Sequence, residues 1–166
     1  YELQFFTNHI GHFILVTGLV DALTAAARVV VVSSFGHHFA PSEGIQFDNL
    51  SGKKGYSGWR AYGQSKLANV LFARALAKRF AGTTRTANSL HPGGIATNLG
   101  RHSETPVTRL LTQSLGWIGM KSVGQGAATQ CYVAAHPRAA NITGCYWSDC
   151  NVAAASAHGQ NDALAQ

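Results

Sequence analysis

The chain has 166 residues, of which 46% are hydrophobic and 12% charged. That is enough for one domain with a core, and too apolar for a disordered segment. The formal net charge is +6, but the Lys and Arg residues are scattered and form no basic stripe, which argues against a nucleic-acid-binding domain.

Residues 3–26 predict a helix running into the alanine-rich "ALTAAA". Its apolar run from Phe13 to Val20 is too short to span a bilayer and is followed by Asp21, so no membrane segment is expected. "RVVVVSS", residues 28–34, predicts a strand buried on both faces, as in a parallel sheet. Residues 35–58 carry many Gly, Ser and His and predict a long loop. A helix is expected from Arg60 to Ala81. It is apolar almost all round through Leu67, Val70, Leu71, Leu76 and Phe80, and so is deeply packed or shared with a second subunit. "RTANSLHP", residues 85–92, predicts a strand stopped by Pro92, and "GGIATNLG" a glycine-bearing loop. Two further helices are expected at 105–118 and 122–135, the second ended by Pro137. "TGCYWSD", residues 143–149, predicts a last strand, and the tail "DALAQ" the start of a helix.

The alternation of helix and strand predicts a single α/β unit over residues 1–166, a doubly wound, mostly parallel sheet. Ligands bind such sheets beyond the carboxyl ends of the strands. Ser34, the run His91-Pro92-Gly93, and the pair Tyr62 and Lys66 all fall at such positions. The chain opens on "YELQFFTNHIGHF" without Met or an opening turn, which predicts a piece of a longer domain. Cys131, Cys145 and Cys150 are odd in number and form no disulfide framework, pointing to free thiols in a reducing, cytoplasmic compartment.

Tyr62 and Lys66 are i and i+4, on one face of a helix. A phenol is a poor base, but a nearby ammonium favours its phenolate and prepares it for general acid–base work near neutral pH. Ser34 is suited to donate a hydrogen bond to an oxygen that gains charge. Each feature alone has a plainer reading: an ordinary surface pair and a strand-end turn residue. His9 and His12 lie i, i+3 but lack a matching carboxylate or thiol, so packing or surface roles are expected rather than a metal. His37 and His38 line either a substrate mouth or a loop surface, and His91 is expected to bond backbone. Leu110, Leu111, Trp117 and Met120 form either a lid or an ordinary packed helix.

Together "TNHIGHF", "VVVVSS", "YGQSK" and "NSLHPGGIATNL" resemble the short-chain dehydrogenase/reductases, in order and over nearly the whole chain. The resemblance is to the retinol-dehydrogenase-like branch, which includes WW-domain-containing oxidoreductases. It implies a Rossmann-type sheet of which this chain holds the C-terminal, catalytic part. It implies that Tyr62 is the acid/base, that Lys66 assists it and holds the nicotinamide ribose, and that Ser34, rather than Ser33, polarises the substrate oxygen. Asn8 would hold a relay water. Pro92, Gly93 and Thr97 would line the nicotinamide pocket. The cofactor implied is NADP or NAD, with NADP favoured, and the substrate an apolar alcohol or carbonyl. A homodimer is plausible. The family's TGxxxGxG turn, which receives the pyrophosphate at a helix N-terminus, does not occur in these residues. An inactive binding or assembly module is therefore the alternative reading.

Overall fold

The computed structural model describes residues 1–95 and 120–166. Four strands form one sheet in chain order: β1 (Arg28–Val32), β2 (Thr86–His91), β3 (Tyr146–Ser148) and β4 (Asn151–Ala153). The first three are parallel, with Val32 beside Leu90 and Leu90 beside Trp147, so their carboxyl ends emerge along one edge. β4 returns antiparallel to β3.

The helices are α1 (Leu3–Ala22), α2 (Gly58–Arg79) and α3 (Val123–Ala135). α1 and α2 cover one face of the sheet, where Val20, Phe72, Leu76 and Phe80 close over Val31 and Ala87. α3 covers the other face, where Val133 joins Leu90, Ala139 and Trp147. Helices on both faces of a mostly parallel sheet make the doubly wound α/β architecture expected from the sequence.

Local chemistry sets the helix limits. α2 ends with Lys78 and Arg79 in its last turn, where cations meet the negative end of the helix dipole. α3 starts at a capping box: Ser122 Oγ accepts from the Gln125 amide, and the Gln125 side chain accepts from the Ser122 amide.

Several expectations are corrected. β1 is not buried on both faces; it is an edge strand of the described sheet, and only Val31 of its valines is fully buried while Val32 is 43% exposed. α1 stops at Ala22 and passes through a π-helical stretch at Phe6–Ile10. At 20 residues α1 is long and apolar enough to cross a membrane, and only 11% of its apolar window is buried. That rests on length and composition alone, which packed helices of other proteins also satisfy. β4 was not expected. The hairpin leading to it turns on Asp149 and Cys150, both left-handed (φ 51° and 61°), without the glycine that usually marks such turns. The tail forms turns rather than a helix. The helix expected at 105–118 lies outside the described residues.

Candidate active site

Two adjacent serines leave β1 in opposite senses. Ser33 is 2% exposed; its Oγ donates to the Lys66 carbonyl at 2.7 Å and its amide to the Leu90 carbonyl at 2.7 Å. Its hydroxyl is committed to joining β1 to α2. Ser34 is half-buried and opens the short 3-10 turn Phe35–Phe39; its Oγ accepts from the Gly36 amide at 3.0 Å, and its own O–H meets no acceptor among the described residues.

Gly36 is where serine and tyrosine meet. A Cβ there would lie 2.6 Å from Tyr62 Cε1 and 3.3 Å from Ser34 Oγ, so the phenol ring rests on the glycine beside the hydroxyl. One residue on, Gly63 lets α2 settle on the same turn: a Cβ there would lie 2.6 Å from the Phe39 carbonyl carbon. Lys66 follows one helical turn later, its Nζ 5.7 Å from the Tyr62 ring centroid, within cation–π range. Nζ donates to the Val32 carbonyl at a long 3.4 Å, and burial holds the ammonium's pKa below its usual range.

Asn8 reaches this group from α1. Its Nδ2 donates to Ser65 Oγ at 3.1 Å, and Ser65 Oγ donates to the Tyr62 carbonyl at 2.7 Å. Asn69, 1% exposed, completes the network by donating to the Asn8 carbonyl at 3.0 Å and the Val32 carbonyl at 3.2 Å. Val32's carbonyl thus receives both Lys66 and Asn69, and Asn69 links that carbonyl to Asn8. The only sequence signal of Asn69 is an amide inside the apolar run "LANVLF". His9 Nδ1 lies 3.1 Å from Asn69 Oδ1, so this histidine serves packing, and burial keeps its pKa low.

Pro92 and Gly93 follow β2 on the same edge. Gly93 has φ +88°, and its amide donates to His91 Nδ1 at 3.1 Å, the backbone bond expected of His91. Lys121 Nζ donates to the Pro92 carbonyl at 3.3 Å and pairs with Asp149. Phe35 lies 6.3 Å from His91, joining the serine turn to this loop. Thr97 lies outside the described residues, as do Leu110, Leu111 and Trp117; Met120 is exposed.

The surface reading of His37 is overturned: it is 1% exposed, whereas His38 is exposed. Tyr146 packs 4.8 Å from His37 and stacks on His91 at 5.9 Å. Its hydroxyl is buried without a hydrogen bond among the described residues, and burial pushes the phenol pKa upward. A cavity of about 310 Å³ lies elsewhere, walled by Glu2, Gln46, Arg60 and Gln64, and neither Tyr62 nor Lys66 lines it. Among the described residues, the candidate catalytic groups gather at the carboxyl ends of β1 and β2, outside this cavity.

No family model matches the chain. It is 45% identical over 160 residues to short-chain dehydrogenase TIC 32 A, chloroplastic, of Brassica napus, covering 91% of this chain and 49% of that protein. It is 41% identical over 153 residues to retinol dehydrogenase 14 of Homo sapiens, covering 90% of this chain and 45% of that protein. The chain belongs to the short-chain dehydrogenase/reductases. Within that family it falls with the retinol dehydrogenase and TIC 32 group, and it spans about half the length of the curated relatives it matches. Among solved structures, an uncharacterized protein from Mycobacterium Paratuberculosis matches with a TM-score of 0.71 and 29% identity, over 99% of this chain and 55% of that one. A blue fluorescent protein from a metagenomic library, solved with NADPH, shares the fold at TM-score 0.60 and 21% identity, over 84% of this chain and 50% of that one.

Proposed function

We propose that the protein carrying this chain is an NAD(P)-dependent oxidoreductase that interconverts an apolar alcohol and its carbonyl, with Tyr62 as proton donor and acceptor. The observation that carries this reading is the meeting of the Ser34 hydroxyl and the Tyr62 ring over Gly36, with the Lys66 ammonium beside the ring. Ser34 hydrogen-bonds the substrate oxygen as its charge changes, and Tyr62 gives or takes the proton at that oxygen. Lys66 supplies the positive charge that a phenolate needs nearby.

The residues present fit the nicotinamide ribose end of the cofactor. Lys66 has three N–H donors and, among the described residues, uses one of them, weakly, on Val32. The others are suited to ribose hydroxyls. Among the described residues Gly94 has open space where a side chain would stand, whereas Gly93 is covered by Lys121, whose Nζ would lie 2.8 Å from a Cβ there. When bound, the nicotinamide supplies or accepts the hydride. NADP is favoured over NAD by the family resemblance, and Asn8 is assigned the relay water on the same ground. The apolar substrate is supported by exposed aromatics flanking the site: Phe35, Phe39 and Trp59, the last edge-on to Tyr62 at 6.4 Å. A retinol dehydrogenase among the relatives fits that class. A reducing, cytoplasmic location is part of the proposal on the cysteine count of the sequence alone.

Absorbance at 340 nm tests the proposal. Tyr62→Phe in the full gene product removes only one oxygen and is expected to lower turnover at least about 100-fold while the melting temperature holds, in the range of lost acid–base catalysis. Normal turnover by this variant would falsify the assignment. A second reading, an assembly module, is favoured by one observation: α1 exposes Phe6, Phe13, Ile14, Leu15 and Leu19. Light scattering decides whether that face pairs two copies. A dimer that binds no NAD(P)H and shows no turnover supports the module.

A further inference from the structure

His37 is fully buried beside the site, and both its ring nitrogens are engaged. Nδ1 lies 2.7 Å from the Ser34 carbonyl, and Nε2 lies 3.0 Å from the Ser156 amide. A carbonyl only accepts and an amide N–H only donates, so the ring must carry its proton on Nδ1 and none on Nε2. The imidazole therefore spans 119 positions of sequence, from the serine turn to the C-terminal segment.

That segment is fastened in turn to α2. Asp162 pairs with Arg74 and, at 3.2 Å, with Lys78. Gly159 lies against Val70 so closely that a Cβ would stand 3.1 Å from Val70 Cγ1. Leu164 and Ala165 pack on the cluster of Leu67, Ala68 and Leu71. His158 Nε2 reaches the Ser42 carbonyl at 2.9 Å, a second tie to the loop after β1. The C-terminal segment thus touches both partners of the candidate site, the serine turn through His37 and the tyrosine helix through α2's outer face.

We propose that His37 is a positioning residue for the Ser34–Tyr62 pair: as the neutral Nδ1–H tautomer it clamps the Ser34 peptide to the C-terminal segment, and that segment holds the serine turn in register with α2. This rests on the oxidoreductase reading above. The clamp matters because Ser34 sits on a short turn attached to β1 at one end only, and displacement of about 1 Å at a reacting group costs about 100-fold in rate.

The test compares His37→Phe, His37→Gln and Tyr62→Phe in the full gene product, with kcat and KM measured separately and the ring nitrogens read by ¹⁵N NMR. Wild-type His37 is expected to show a protonated Nδ1 and a bare Nε2 at neutral pH. His37→Phe keeps the packing on Tyr146 but loses both bonds; kcat is expected to fall 10- to 100-fold with the cofactor KM within twofold. His37→Gln, whose amide can donate to Ser34 and accept from Ser156, is expected to recover most of the loss. Should His37→Phe fail to fold, His37→Asn, too short to span both partners, takes its place with the same expectation. Normal kcat in His37→Phe alongside a dead Tyr62→Phe overturns the clamp and leaves the enzymatic reading standing. An Nε2–H or doubly protonated ring in the wild type overturns the clamp as well. Full turnover by Tyr62→Phe overturns the enzymatic reading, and the clamp with it.

Discussion

Replacing Gly63 with alanine sets two physical effects against each other. By intrinsic helix propensity, Gly→Ala inside α2 stabilises by about 1 kcal/mol. The packing says the opposite. The new Cβ would lie 2.6 Å from the Phe39 carbonyl carbon, 2.7 Å from the Ala40 nitrogen and 2.8 Å from the Phe39 oxygen. All three are backbone atoms, so no side chain can swing away; α2 must lift or the turn after Ser34 must move. Overpacking of this kind costs about 1–3 kcal/mol, and backbone neighbours put the cost at the upper end. The net expectation is a loss of about 1–2 kcal/mol, seen as a lower urea midpoint at unchanged slope. Because the displaced turn carries Ser34 and the displaced helix carries Tyr62, turnover should fall as well, by more than the stability loss explains. If Gly63→Ala raises the urea midpoint, helix propensity has won and the close docking of α2 on the serine turn is wrong.

Other consequences are as direct. Asn69→Ala removes two hydrogen bonds to the part-buried carbonyls of Asn8 and Val32; at about 1 kcal/mol each the expected destabilisation is about 2 kcal/mol by urea titration, and a loss under about 0.5 kcal/mol would deny Asn69 its role in joining α1, β1 and α2. Ser122→Ala removes half of the capping box on α3 and should cost about 1 kcal/mol, with Ser122→Asp restoring it. Burial holds His9, His37 and His91 below the ordinary value of 6.5. The unfolded chain therefore binds protons first as pH drops, and their stabilisation is full above about 6.5 and lost progressively below it. Urea midpoints measured at pH 7.5 and 5.5 should be lower at pH 5.5, with a smaller difference in His37→Phe; an unchanged midpoint would contradict the burial of these rings.

Much of the architecture was legible because it depends on local pattern. Four valines between Arg28 and Ser33 read as a strand, the apolar run through Leu67 and Leu71 as a buried helix, and Tyr62 and Lys66 share a face by helical geometry alone. Pattern could not show that β1 is an edge strand of the described sheet, since a valine run says nothing about what lies beside it. Nor could it show β4, whose turn uses Asp149 and Cys150 in place of glycine.

The identity of the motif residues, their order and their helical spacing were determined by the sequence by itself, because they depend on neighbours within a few positions. Only the tertiary structure decided what those residues meet. It gave the Ser33 hydroxyl to the Lys66 carbonyl and the Ser34 Oγ to the Gly36 amide, buried His37 between Ser34 and Ser156, and set Asn69 between Asn8 and Val32. Each of those partners lies more than thirty residues away or in a turn whose shape depends on such a contact. The reason is physical: hydrogen-bond reach is about 3 Å, and which distant atoms come that close is set by how α1, α2 and the C-terminal segment dock on the sheet.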